Sequence, residues 1–92
     1  MSLLRAIIVE DSDDDMLLVL RALKKGGYEP VHIRVETREE LLEVLRDDSW
    51  QIIISDHAMP KFSAPEALQT LKDSKRDIPF IIVSGTIVLT PA

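Results

Sequence analysis

The chain has 92 residues and no internal repeat, which allows one small domain with a modest core and excludes a second domain. Its 46% hydrophobic and 29% charged residues are typical of a folded globular protein and exclude a disordered one. A net charge of -5 disfavours direct binding to nucleic acid, and the absence of cysteine excludes disulfides, thiolate metal sites and a cysteine nucleophile.

The first predicted elements are a strand and a helix. Residues 6–9, AIIV, form an apolar run without alternation, as expected for a central strand buried on both faces. The apolar residues that then recur at helical spacing are Met16, Val19, Leu20 and Leu23. Gly26 and Gly27 predict the end of this helix, because glycine easily adopts a left-handed cap.

A second strand and a second helix follow. Residues 31–35, VHIRV, alternate apolar with polar side chains, which predicts a strand that meets water on one face or lies at the border of the sheet. Thr37 and Glu40 have the spacing of a capping box, in which each end satisfies an orphan backbone donor, and so predict the start of the helix. Leu41, Val44 and Leu45 continue on one helical face.

The same pattern recurs in the rest of the chain. Residues 52–54, III, and 80–83, FIIV, predict two more buried strands. Between them, Ser63 and Glu66 have capping-box spacing, with Pro65 in the first turn, where its missing donor costs little. Four readable strands thus alternate with three helices, which predicts an α/β fold with a doubly wound parallel sheet and right-handed crossovers.

Ligands of such sheets gather beyond the carboxyl ends of the strands. The polar residues that follow the first, third and fourth predicted strands are Glu10 and Asp11, Ser55 and Asp56, and Ser84, Gly85 and Thr86. Carboxylates gathered at about 4 Å would repel one another by on the order of 4 kcal/mol per pair. A hard divalent cation such as Mg²⁺ would offset this repulsion and leave one carboxylate to attack a phosphoryl donor.

Three sequence motifs at these strand ends belong together: AIIVED at residues 6–11, IIISDHAMP at 52–60 and PFIIVSG at 79–85. As a set they resemble the response-regulator receiver domains of two-component signalling, over nearly the whole chain. The resemblance implies a flavodoxin-like receiver fold and a phosphoacceptor signalling domain rather than an enzyme. It also implies that the phosphoryl group comes from a phosphohistidine of a sensor histidine kinase or a histidine phosphotransfer protein.

The resemblance further implies a role for each residue at the strand ends. Asp56 would be the phosphoacceptor, and Ser84 would be the switch hydroxyl that turns towards the phosphoryl group. The ligands of Mg²⁺ would be Glu10, Asp11, Asp56 and the carbonyl oxygen of Ala58. The backbone N–H groups that help to bind the phosphate would be those of His57, Ala58 and Gly85.

Each of these residues also has an ordinary structural interpretation. An aspartate after a strand is often a turn or cap residue, and Ser84 with Gly85 also suits an ordinary turn. Glu10 and Asp11 suit a solvated run that leads into the first helix, to whose cap and dipole we assign residues 13–15.

The sequence departs from the family pattern after the fourth strand. The pattern continues through a fourth helix, a fifth strand and a last helix, and its functional lysine goes with that part, whereas Lys61 is not at the lysine position. We therefore expect residues 1–92 to be a receiver domain truncated after strand four, with an uncovered sheet edge that favours a homodimer or a domain-swapped form. Residues 86–90, TIVLT, favour a strand instead of the helix expected there.

Two other functions stay open at this point. A non-phosphorylated pseudo-receiver would keep the pocket and bind partners through its surface, and the missing lysine favours it. A phosphotransferase or phosphatase would need another acid placed to act on the leaving group, and the alanine at position 58 disfavours it.

The apolar runs are far too short to span a bilayer, and no secretion signal opens the chain. We therefore expect a cytoplasmic protein without membrane association.

Overall fold

A computed structural model describes the backbone of residues 2–56, 59–84 and 88–91 and the side chains of residues 2–56 and 59–83. The strands are β1 (Ser2–Val9), β2 (Tyr28–Val35), β3 (Ile52–Asp56), β4 (Phe80–Ser84) and β5 (Val88–Pro91), and the helices are α1 (Asp13–Lys25), α2 (Arg38–Val44) and α3 (Ala64–Asp73). They form a sheet of order β2-β1-β3-β4-β5, in which the first four strands run parallel. The predicted parallel α/β sheet with four strands and three helices is confirmed.

The fifth strand runs against the other four. β5 pairs antiparallel with β4 and places Leu89 opposite Val83. Because β-branched residues favour extended backbone, a strand was expected over residues 86–90, and β5 confirms it from Val88 onward. Thr86 and Ile87 lie outside the described residues.

Two hydrophobic clusters cover the two faces of the sheet. The first joins α1 to the sheet through Val19, Leu20, Leu23, Ala6, Ile8, Ile54 and Val83. The second joins α2 and α3 to the sheet through Leu41, Leu45, Ala67, Leu71, Ile7, Val9 and Ile53. Successive side chains of a strand point to opposite faces, so a strand covered on both sides is apolar at every position. This arrangement explains the continuous apolar runs of β1 and β3.

β2 lies at the border of the sheet, as its alternating pattern predicts. It pairs in parallel with β1 over eight residues, from Ser2 opposite Tyr28 to Val9 opposite Val35. Val35 is buried, whereas Tyr28 and Val31 are exposed. The carboxyl end of this edge strand is therefore its most buried part.

α1 begins and ends at the predicted signals. The Ser12 hydroxyl accepts a hydrogen bond from the backbone N–H of Asp15, and all three acids of the first turn, Asp13 to Asp15, complement the helix dipole. Gly27 follows the helix with a φ of 91°, in the left-handed region that glycine adopts without strain. Within the described ranges, neither this helix nor any other is long and apolar enough to cross a membrane.

The two predicted capping boxes have different outcomes. At α3, the box is confirmed: Ser63 accepts from the Glu66 N–H at 3.2 Å, and the Glu66 carboxylate accepts from the Ser63 N–H. At α2, Thr37 accepts from the Glu40 N–H, but the Glu40 carboxylate accepts from the N–H of Glu36, at 2.8 Å. The predicted hydrogen bond from the Thr37 N–H to the Glu40 carboxylate was wrong. Because β2 ends at Val35, the N–H of Glu36 lies beyond the strand ladder and donates to that carboxylate instead.

Candidate functional site

Three acidic side chains meet beyond the carboxyl ends of β1 and β3. Glu10, Asp11 and Asp56 each offer one carboxylate oxygen, and these oxygens lie within 4.8 Å of one another. The two strands are parallel neighbours with Val9 opposite Ser55, so the residues that follow them reach the same edge of the sheet. The predicted convergence of the three acids is found, and the role of each stays a prediction.

Glu10 is the buried member of this group, with 4% of its surface exposed. Its Oε1 atom accepts hydrogen bonds from the backbone N–H groups of Asp11, at 3.0 Å, and Ser12, at 3.2 Å. Burial, the negative charge of Asp56 and a side-chain hydrogen bond with Asp11 together raise the pKa of Glu10 from 4.5 to about 7, against the two backbone donors. Near neutral pH, the Glu10 carboxyl group is therefore partly protonated.

The backbone of Glu10 is attached to the end of β2. Its N–H donates to the Val35 carbonyl at 3.1 Å. Its carbonyl accepts from Nη1 of Arg34 at 3.2 Å, and the same nitrogen donates to Oε1 of Glu36 at 2.6 Å. Nε of Arg34 lies 3.0 Å from Oδ1 of Asp13. One guanidinium group thus joins the loop after β1, the start of α1 and the loop after β2.

Arg34 was not among the site residues predicted from the sequence. The alternation of residues 31–35 was interpreted only as a sign of an edge strand. A usable signal was present, since a long cation stands one position before the carboxyl end of a strand that neighbours the acidic strand end. Residues so placed lie at the edge of the sheet where the acids gather.

The donor set fits a hard divalent cation. It consists of carboxylate oxygens, which Mg²⁺ and Ca²⁺ prefer, and Asp11 is exposed to solvent while Glu10 is buried. Burial and the negative charge of Asp56 disfavour the ionised form of Glu10. A bound cation would compensate that charge.

An open cavity of about 230 Å³ adjoins the acids. It is lined by Asp11, Glu36, Thr37, Met59, Pro60 and Lys61. Met59 is buried in the core cluster on the α2 and α3 face, which anchors this side of the cavity. The cavity gives a partner molecule access to the exposed side of the site.

Some predicted site residues cannot be placed in the same way. His57, Ala58 and Gly85 lie outside the described residues. The backbone of Ser84 ends β4, one position beyond Val83, which pairs with Asp56. The strand end is where the switch hydroxyl was expected, and the role of the hydroxyl stays a prediction.

Comparison with known proteins gives a consistent family. Residues 6–90 match the family described as the response regulator receiver domain. The sensor kinase CckA of Brucella abortus (strain 2308) is 36% identical over 81 residues, which cover 86% of this chain and 8% of the kinase. The polar-differentiation response regulator DivK of Brucella ovis is 34% identical over 81 residues, which cover 86% of this chain and 64% of DivK. The chain spans less than two thirds of the length of either relative.

Solved structures share the fold. The MaeR response regulator bound to beryllium trifluoride has a TM-score of 0.72 and 20% identity, with 92% of this chain and 70% of MaeR covered. The crystal structure of FIXJ-N has a TM-score of 0.71 and 25% identity, with 91% of this chain and 66% of that chain covered. The flavodoxin-like receiver fold is therefore confirmed.

Proposed function

The chain belongs to the response regulator receiver domain family, and we propose that it is a phosphoacceptor module in which Asp56 receives the phosphoryl group. Receiver domains are signalling modules of two-component systems rather than classical enzymes, and they interact with histidine kinases or phosphotransfer proteins. The observation that carries the proposal is the meeting of three carboxylate oxygens within 4.8 Å at the ends of β1 and β3.

Asp56 is the best nucleophile of the three acids. Glu10 is buried, two N–H groups hold one of its oxygens, and its pKa of about 7 keeps a large fraction protonated near neutral pH. Asp11 is exposed in the loop after β1. Asp56 instead ends β3, the middle strand of the sheet, where a rigid backbone presents a half-buried carboxylate to the site. Rigid presentation favours attack, because the reacting atoms are held in the required geometry.

The proposed reaction is a transfer between two side chains. A carboxylate oxygen of Asp56 forms a bond to phosphorus while the bond between phosphorus and the imidazole nitrogen of the donor breaks. The electron pair of that bond stays on the donor histidine, and the product is an aspartyl phosphate. The similarity to a sensor kinase and to a response regulator supports a histidine kinase or a histidine phosphotransfer protein as the donor.

We assign Mg²⁺ binding to Glu10, Asp11 and Asp56, with the carbonyl oxygen of Ala58 as a further proposed ligand. When bound, the ion supplies positive charge that neutralises phosphoryl oxygens and draws the donor to the site. The proposed helpers of the bound phosphoryl group are the Ser84 hydroxyl and the backbone N–H groups of His57, Ala58 and Gly85. We also propose that residues 1–92 form one receiver domain and that the protein is located in the cytoplasm.

The test is incubation of the purified chain with acetyl phosphate and Mg²⁺, followed by intact mass spectrometry. We expect the mass of one added phosphoryl group on the wild type and none on Asp56→Asn. Asp48→Asn, at an exposed position in the loop before β3, serves as the matched control and is expected to be modified like the wild type. An adduct on Asp56→Asn would contradict the assignment of the acceptor. A wild type that binds Mg²⁺ but takes up no phosphoryl group would favour the pseudo-receiver.

A further inference from the structure

The side chain of Arg34 extends from the edge strand β2 to the acidic site. Its guanidinium group contacts the Glu10 carbonyl, the Glu36 carboxylate and the Asp13 carboxylate, at 3.2, 2.6 and 3.0 Å. The side chain is 29% exposed, so these contacts lie in a partly desolvated position. All three contacts are with oxygen atoms of the protein, so the guanidinium group serves as a structural bridge rather than as a ligand for phosphate.

The contact with the Glu10 carbonyl has a consequence for the next N–H group. The peptide between Glu10 and Asp11 is planar and trans, so its C=O and N–H bonds point in opposite directions. When Arg34 holds the carbonyl oxygen on one side, the N–H of Asp11 is directed to the other. That N–H donates to Oε1 of Glu10 at 3.0 Å. The hold of Arg34 on a carbonyl oxygen therefore fixes the carboxylate of the same residue.

We propose that Arg34 is a positioning residue for the cation site, which it orients through the peptide plane between Glu10 and Asp11. The inference rests on the proposed function, because the ion concerned is the one assigned to Glu10, Asp11 and Asp56. Arg34 acts through the backbone of the first of these acids and through Asp13, at the start of α1. It thereby sets the direction of the Glu10 carboxylate before a cation arrives.

The sign of the effect separates positioning from simple electrostatics. A guanidinium charge near a cation site repels the cation, so its removal would tighten Mg²⁺ binding if charge were its whole contribution. A positioning role predicts weaker binding, because loss of residues that orient metal ligands costs about 10-fold to 100-fold in affinity. The two effects oppose each other, so a measured loss of affinity reports positioning.

The experiment is a calorimetric titration of the full chain with Mg²⁺. We expect Arg34→Gln to bind about 10-fold more weakly than the wild type. Arg34→Lys keeps the charge but not the planar fork, and we expect it to bind more weakly too. Arg38→Gln is the matched control, since Arg38 bridges α2 and α3 through Thr70 at 3.0 Å and Asp73 at 3.4 Å, away from the acids. The Mg²⁺ affinity of Arg38→Gln is expected to equal that of the wild type, even if this variant loses as much stability in urea as Arg34→Gln does.

A second readout needs no metal. Amide hydrogen exchange of Asp11 should accelerate in both Arg34 variants and stay unchanged in Arg38→Gln, because only the Arg34 variants release the peptide plane. If Arg34→Gln does not fold, Arg34→Lys carries both measurements. Binding by Arg34→Lys or Arg34→Gln that equals or exceeds that of the wild type would overturn this inference alone. A wild type that bound no Mg²⁺ would overturn it together with the proposed cation site.

Discussion

Glu10 shows how burial and charge make a single residue sensitive to pH. Its pKa is raised from 4.5 to about 7 in the folded chain, so between these values the folded state holds a proton that the unfolded state has released. The stabilisation is fully present below pH 4.5 and is lost as pH rises through 7. In metal-free protein, we expect the free energy of unfolding to fall by on the order of 3 kcal/mol over this range. Urea denaturation at a series of pH values measures it.

Two comparisons make this prediction specific. Glu10→Gln should show a flatter pH profile, whereas Glu39→Gln, at an exposed position on α2, should keep the slope of the wild type. Saturating Mg²⁺ should also flatten the profile, because the cation competes with the proton for the ionised carboxylate. Equal slopes for the wild type and Glu10→Gln in the absence of metal would contradict the prediction.

At the scale of the element, α3 depends on the cap at its first turn. Ser63 accepts a hydrogen bond from the N–H of Glu66, which would otherwise be an orphan donor. We expect Ser63→Ala to lower the free energy of unfolding by about 1 kcal/mol, as measured by urea denaturation. Ser63→Thr keeps the hydroxyl and should cost much less. An alanine variant as stable as the wild type would show that water replaces the cap at no cost.

The elements also show which features of the fold follow from local sequence. The apolar runs of β1 and β3 predict buried central strands because both faces of the sheet are covered by helices. The antiparallel direction of β5 does not follow from its β-branched residues, since these favour extended backbone of either direction. The partner of the Glu40 carboxylate depended on where β2 ends, which no spacing within α2 specifies.

The same distinction applies to the site. Glu10, Asp11 and Asp56 could be predicted to meet because parallel strands bring their carboxyl ends to one edge, whatever the loops do. The contact between Arg34 and the Glu10 carbonyl, 24 positions apart, depends on the register of β1 and β2 and on one side-chain conformation. Neither quantity is encoded in a short motif.

At the scale of the whole molecule, the sheet formed by the described residues has β2 and β5 at its two edges. An edge strand offers unpaired backbone groups to another chain, and β2 adds the exposed side chains of Tyr28 and Val31. The homodimer or domain-swapped form therefore stays our prediction. We expect size-exclusion chromatography with light scattering to give twice the chain mass at high concentration.

Charge on the edge should oppose this association. We expect Val31→Lys to shift the protein to a monomer, because lysine on an edge strand blocks pairing. Leu17→Lys, at an exposed position on α1, adds the same charge away from the edge and should leave the mass unchanged. A compact wild-type monomer at high concentration would contradict the prediction.

The attachment of Glu10 to β2 links the acidic pocket to the outermost layer of the sheet. Edge strands fray before central ones. If the end of β2 separates from β1, the Glu10 backbone loses its hydrogen bonds with the Val35 carbonyl and with Arg34 at the same time. Pocket assembly and strand fraying are therefore alternatives within a single equilibrium. A ligand bound in the pocket would stabilise the end of β2 against fraying. Conversely, a change in the position of β2 would alter the geometry of the pocket.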